Sequence, residues 1–309
     1  MSVAHRPAPR PGPALGPSLR RLESEAIAIL RDGVAESRNP VLLFSGGKDS
    51  TVLAHLALRA FYPSRPPLPL LHVDSTWEFP EVLAFRDAFA GRHGFELRVH
   101  ANEEGRRAGL NPVDHGDVYT TTMRTDALKQ ALDAGGYDVI FGGARRDEEA
   151  SRAKERIVSV RSAGHGWDPR NQRPELWSAY NWRLGAGQSI RAYPISNWTE
   201  QDLWAYILAR GIDLVPLYFA AERRVVEVDG RLLPVTDAGW AERWFGGAVR
   251  TERVRFRTLG CWPVTAAVAS DATDVAAVAQ ETFFASTSER RGRVSDAGSL
   301  ERQKREGYF

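Results

Sequence analysis

Cysteine is nearly absent: Cys261 is the only one in 309 residues. That excludes an intrachain disulfide and any zinc or iron–sulfur site built from cysteines of one chain, so no iron–sulfur cluster is expected. It also fits a reducing compartment, and the cytoplasm is the expectation. No run approaches the roughly 18 apolar residues of a membrane span. The start, MSVAHRPAPRPGPALGP, lacks the apolar stretch of a secretory signal and reads as a disordered proline-rich lead. An excess of one charge is missing too. With 41 Lys plus Arg against 39 Asp plus Glu, the net +2 argues against an extended nucleic-acid footprint, so any basic site must be local. Neither an internal repeat nor a glycine-serine linker occurs. A GxGxxG fingerprint is absent, and Leu42 and Asp49 stand where a Walker A loop needs glycine and a hydroxyl residue.

What is present is an alternation. Leu19, Leu22, Ala26, Ile29 and Leu30 recur at helical spacing between Ser18 and Glu36, and RNP at 38–40 stops that helix. Strand-like runs follow at 41–45, 68–74, 96–101, 138–143 and 190–196, with helical patterns between most of them. Short apolar strands alternating with helices predict a doubly wound α/β fold, a mostly parallel sheet with helices on both faces. Thr199 and Asp202 fit a capping box and Gly211 a helix stop. Asp229-Gly230 between two strand-like runs predicts a hairpin. A helix is expected around 274–286, ahead of an arginine-rich tail that could close over a nucleotide, dock a partner or remain solvated. The expected division is a lead over 1–17, an α/β domain over 18–216, and an extension over 217–309 packing on it.

The chemistry concentrates where the first strand meets the first following helix, at FSGGKDST (44–51). In a parallel sheet the ligand crevice lies beyond the carboxyl ends of the strands, where strand order reverses. Main-chain N–H groups at such a turn, together with the helix N-terminus, make an anion site. Gly46 and Gly47 allow close backbone approach, Lys48 supplies a mobile positive charge, and Ser50 adds a hydroxyl. The pattern suits a polyphosphate; its plain alternative is a tight turn without ligand.

At the end of the second strand, Asp74 can accept a bond from a ribose hydroxyl or an adenine amine, or simply cap its loop. His72 falls inside that strand pattern and reads as a packed histidine. The fourth strand runs into GGARRDEEASRAKER (142–156). Gly142 and Gly143 again allow close approach, and the guanidinium groups of Arg145 and Arg146 suit an α-phosphate or a sulfate. Glu148, Glu149, Lys154 and Glu155 read as a solvated helix laced by ion pairs, Glu148 and Arg152 being four apart. Trp167, Trp177, Trp182, Trp198 and Trp204 cluster within 38 residues, and core packing is the reading for most of them.

The SGGxDS pattern of residues 45–50 resembles the pyrophosphate loop of the adenine nucleotide α-hydrolase-like, or PAPS reductase-like, superfamily. That resemblance implies ATP as substrate, with Ser45, Gly46, Gly47, Lys48, Asp49 and Ser50 on its β and γ phosphates. The match narrows with FYPSRPPLPLLHVDSTWEF, GGARRDEE, WDPRNQRPELW, YPISNWTEQDLWAYI, VRFRTLGCWP and STSERRGRV, which occur in the order seen in the small-subunit family of bacterial sulfate adenylyltransferases. It covers roughly 18–309, while 237–250 match only loosely.

Membership would imply that sulfate attacks the α-phosphorus of ATP, giving adenosine 5′-phosphosulfate and pyrophosphate as the first step of sulfate assimilation. Lys48, Arg145 and Arg146 would be catalytic, and Asp74, Gly142 and Gly143 would join the ATP site. Mg2+ is expected on the phosphates, with Asp49 as a guess for its ligand. It also implies a larger GTPase subunit as partner, in a heterodimer or higher assembly, because nothing here resembles a GTPase. Three rivals share the loop: a reductase of adenylyl or phosphoadenylyl sulfate, a tRNA-modifying enzyme, and a nucleotide-binding adaptor without turnover. The first needs a reactive cysteine near the C-terminus, and Cys261 in LGCWP reads instead as a packed turn.

Overall fold

The computed structural model describes residues 14–236 and 238–284. Most of the lead and the STSERRGRV tail lie outside them. Helix α1 (Pro17–Glu36) buries Leu22, Ala26, Ile29 and Leu30 as its spacing requires. There follow β1 (Pro40–Leu43), α2 (Lys48–Ala60), β2 (Leu70–Asp74), α3 (Pro80–His93), β3 (Leu97–Ala101), α4 (Glu103–Arg107) and α5 (Gly116–Thr120). A π-helical turn, Thr121–Asp126, joins α5 to α6 (Ala127–Gly135). Next come β4 (Val139–Phe141), α7 (Ala150–Ala153), β5 (Val158–Arg161), β6 (Ser189–Ala192) and α8 (Glu200–Arg210).

The six strands are ordered β3-β2-β1-β4-β6-β5. Pairing is parallel from β3 through β6, with Leu42 between Leu70 and Phe141, and β5 runs antiparallel to β6 at the edge. Because the chain fills β1, β2 and β3 in one direction and then crosses to β4 and β6, strand order reverses between β1 and β4. Alternate residues face opposite layers. Leu42, Leu70 and Phe141 enter the large core with α1, α2 and α8, whereas Val41, Leu71 and Ile140 pack on Leu128 and Leu132 of α6. Each fully buried side chain of this kind contributes about 1.5–3 kcal/mol.

Thr199 accepts from Asp202 N and Asp202 caps back, completing the capping box of α8, and Gly211 ends that helix in the left-handed region at φ 59°. Asp229 (φ 51°) and Gly230 (φ 71°) make the expected hairpin turn between β7 (Ala221–Val228) and β8 (Arg231–Pro234). The hairpin is not isolated. With α9 (Ala238–Phe245) between them in sequence, β9 (Arg250–Arg255) and later β10 (Val268–Ala269) complete an antiparallel sheet ordered β10-β9-β7-β8, before α10 (Val275–Phe284). Four of the five clustered tryptophans are buried, while Trp177 is 97% exposed. Among the described residues no helix is long and apolar enough to cross a membrane.

Candidate functional site

Strand β1 ends at the order reversal, and its next residue, Phe44, still pairs with β2 through Leu71 O at 2.8 Å. The chain then turns through Gly46, at φ 73°, where a Cβ would lie 2.9 Å from Val82 Cγ1. Both facts demand glycine. Gly47 is the N-cap of α2, and no side chain caps that helix end. Ser45 Oγ lies 3.2 Å from Ser50 Oγ and accepts from Gly47 N at 3.3 Å, while Ser50 Oγ donates to Gly47 O at 3.0 Å. Lys48 N donates to Tyr218 Oη at 2.8 Å. The loop is thus held from within by hydroxyls and from outside by a tyrosine beyond α8.

A cavity of about 290 Å3 opens here, walled by Ser45, Gly47, Lys48, Asp49 and Ser50 on one side. Four cations reach it: Lys48, Arg124, Arg152 and Arg191. Lys48 is 1% exposed, and its Nζ lies 3.0 Å from Asp49 Oδ2, while Arg145 Nε donates to Asp49 Oδ1 at 2.6 Å. Burial opposes ionisation of Asp49, but the Lys48 ammonium and the Arg145 guanidinium outweigh it and hold the carboxyl far below the usual carboxylate range. Burial pulls Arg191 down to about 10, which leaves it cationic at neutral pH.

Of the residues expected from sequence, Ser45, Gly47, Lys48, Asp49, Ser50, Gly142 and Gly143 line the cavity, and Gly46 turns the loop between two of them at positive φ. The paired glycines of β4 allow packing as well as access: a Cβ on Gly143 would meet Asp49 C at 3.0 Å, and one on Gly142 would meet the Tyr193 ring at 3.1 Å.

Three assignments change. Arg145 is not a cavity wall; it is 1% exposed and clamps Asp49 from behind. Arg146 turns away, donating to Asn197 Oδ1 at 2.5 Å and to Glu155 O at 3.2 Å, because the chain after Arg145 folds toward β5 and the start of α8. Asp74 caps its own turn by accepting from Thr76 N at 2.7 Å, while its neighbours Val73 and Ser75 line the cavity.

Nor is the segment after Arg146 a solvated helix. Glu148 is buried against Arg152 as expected from spacing, but Glu155 is also buried, accepting from Arg161 Nη2 at 3.2 Å and from the Ser159 hydroxyl. His72 is packed as expected, 2% exposed, and yet it also reaches the cavity wall. Cys261 is buried with Sγ 2.9 Å from Tyr119 Oη and 3.1 Å from Arg124 Nη2, outside the cavity wall. Sequence reasoning missed Arg124, Arg152, Arg191, Tyr193 and Tyr218, which come from distant segments with no shared local pattern.

The chain matches the family model of the phosphoadenosine phosphosulfate reductase domain over residues 39–267. It is 58% identical over 295 residues to sulfate adenylyltransferase subunit 2 of Brucella anthropi, covering 94% of this chain and 96% of that one. The subunit 2 of Burkholderia lata is 57% identical, with 94% and 99% covered. A solved phosphoadenylyl-sulfate reductase from Candida auris, in complex with phosphate, aligns with a TM-score of 0.46 and 14% identity over 67% of this chain and 92% of that chain.

Proposed function

Because the chain belongs to the sulfate adenylyltransferase subunit 2 family, we propose that the cavity at the order reversal is where ATP and sulfate meet. The activity is adenylyl transfer: a sulfate oxygen attacks the α-phosphorus, the bond to the β-phosphate breaks, and adenosine 5′-phosphosulfate and pyrophosphate form. No protein nucleophile is required, so the protein's task is positioning and charge neutralisation.

The observation that carries the reading is Lys48, buried in the cavity wall at the N-terminus of α2 and fixed by Asp49. In this reading the first-turn amides and Lys48 receive the departing pyrophosphate. Arg145 acts through Asp49, keeping that carboxylate ionised and the ammonium aimed. Arg124, Arg152 and Arg191 are the guanidinium groups on the cavity wall, a chemistry that suits the sulfate and the α-phosphate. Magnesium would supply charge neutralisation on the phosphates. Asp49 lines the cavity, and each of its carboxylate oxygens accepts from one cation and keeps a second lone pair with which it would hold the metal.

As a subunit 2, the chain is one part of a multi-subunit enzyme. We assign the other part a GTPase, because the mixed anhydride lies uphill and this chain has no GTPase motif to drive it; the cytoplasm, where both nucleotides are available, is the compartment. The test supplies the purified chain, with and without a candidate GTPase subunit, with ATP, GTP and sulfate. Sulfate-dependent release of pyrophosphate with adenylyl sulfate is expected, increased by GTP hydrolysis. Sulfite formed at the expense of a thiol donor would replace this reading with reductase chemistry, and ATP binding without turnover would replace it with an adaptor.

A further inference from the structure

The end of β2 and the turn after it also line the cavity. His72 Nδ1 lies 2.9 Å from Phe44 O. A carbonyl only accepts, so Nδ1 carries the proton, and burial, the leading cause of the ring's lowered pKa, keeps it neutral. Nε2 is therefore a bare lone pair. It is buried and has no hydrogen-bond partner. Six residues on, Glu78 Oε1 accepts from Ser75 N at 2.8 Å and from Ser75 Oγ at 2.5 Å, which leaves Oε2 buried and equally without a partner. His72, Ser75 and Glu78 all line the cavity.

The turn that presents them is braced: Glu78 forms a bridge with Cys261, and Tyr119 Oη donates to Ser75 O at 2.8 Å. Two buried acceptors on residues that line the cavity cost on the order of 1–3 kcal/mol each unless a ligand or water supplies a donor.

Neither sulfate nor the triphosphate at neutral pH has a donor to offer. The donors that the substrates bring are the exocyclic amine and the ribose hydroxyls of the nucleoside. From this we propose that His72 Nε2 and Glu78 Oε2 form a reading wall that accepts hydrogen bonds from the nucleoside half of ATP and sets nucleotide selectivity. The inference rests on the reading that ATP occupies this cavity. An acceptor pair also opposes a purine that presents a carbonyl oxygen in place of the amine, so such a wall keeps guanine and hypoxanthine nucleotides out.

Glu78→Gln is the discriminating variant. Ser75 supplies two donors to Oε1, so the amide oxygen settles there and the NH2 replaces the acceptor at Oε2. His72→Asn provides a second test: its amide can still donate to Phe44 O while the Nε2 acceptor is deleted. Equilibrium binding of ATP, ITP, 2′-deoxy-ATP and 3′-deoxy-ATP is measured for the wild type and both variants, with Lys48→Ala as control and melting temperature as the check on folding.

The expectation is that ATP binds about tenfold more weakly to each variant, and that this penalty disappears for the one analogue lacking the donor that is read. If it disappears for ITP, the amine is read; if for a deoxynucleotide, the hydroxyl is. A penalty equal for all four nucleotides, or none for ATP in folded variants, overturns the proposal. If the wild type binds no ATP, or Lys48→Ala leaves binding unchanged, the underlying reading of the cavity fails instead.

Discussion

At the scale of single residues, the site is a triad of charges in which two buried cations share one partly buried carboxylate. Lys48 faces the cavity and Arg145 does not, so their removal has different consequences. Lys48→Ala deletes a charge-assisted contact worth about 1.5–3 kcal/mol, and ATP affinity measured by calorimetry falls about 10- to 100-fold. Arg145→Ala leaves the partly buried Asp49 with one counter-charge; a buried pair broken on one side costs about 3–5 kcal/mol, and the lower end is expected here, read as a lower urea midpoint. Pairing it with Asp49→Asn restores part of that stability, because the uncompensated carboxylate is then gone. If the single variant unfolds at the wild-type midpoint, the clamp is not a stabilising one.

At the scale of elements, α2 is held at its first turn from outside its own segment. Tyr218 Oη accepts from Lys48 N, and Tyr218 itself packs edge-on against Trp204 of α8 at 5.8 Å. Tyr218→Phe keeps the ring and removes the acceptor, so the loop amide must find another partner. A loss of about 1–3 kcal/mol in the ligand-free protein is expected, smaller when ATP is bound and the loop is held by phosphate. Equal losses with and without ATP, by thermal shift, would count against the loop as the phosphate seat.

This tyrosine also marks the limit of what the sequence discloses. The loop was legible because strand, glycines, lysine and helix start are contiguous, and β1, β2, β3, β4 and β6 were legible as strand-like runs. Strand β5 was not: Val158, Ser159, Val160 and Arg161 are all buried, yet two of the four are polar, Ser159 donating to Glu155 and Arg161 reaching Glu155 and Tyr193 through Nη2. Glu155 for the same reason reads as a surface residue until β5 is in place. Arg191 and Tyr218 take their roles from packing between distant segments, which no spacing encodes.

At the scale of the whole molecule, stability against acid sums several buried groups, and their order in pH follows from their shifts. His55 of α2 is lowered from 6.5 to about 4, first by burial and then by the charges of Arg59, His93 and Arg210. Between those two values the unfolded chain takes up a proton that the folded one refuses, so falling pH favours unfolding; above 6.5 both forms are neutral and this group adds no slope. His72, also lowered by burial, acts with the same sign. Asp49 and Glu23 are held below their ordinary 3.8 and 4.5 by cationic and hydrogen-bonding neighbours in spite of burial, so their contribution is complete above those values and is lost as pH drops through the lower folded ones. The free energy of unfolding is therefore expected to level off above pH 6.5 with respect to these groups and to decline in two stages, histidines first and carboxylates second. Urea midpoints at about pH 7.5 and about pH 5.5 isolate the first stage, since ordinary carboxylates stay ionised across it. His55→Gln should shrink the difference between those midpoints, with His72 supplying the remainder. If the variant shows the full wild-type difference, His55 takes up its proton in the folded protein at the ordinary value, and the first stage must come from other groups.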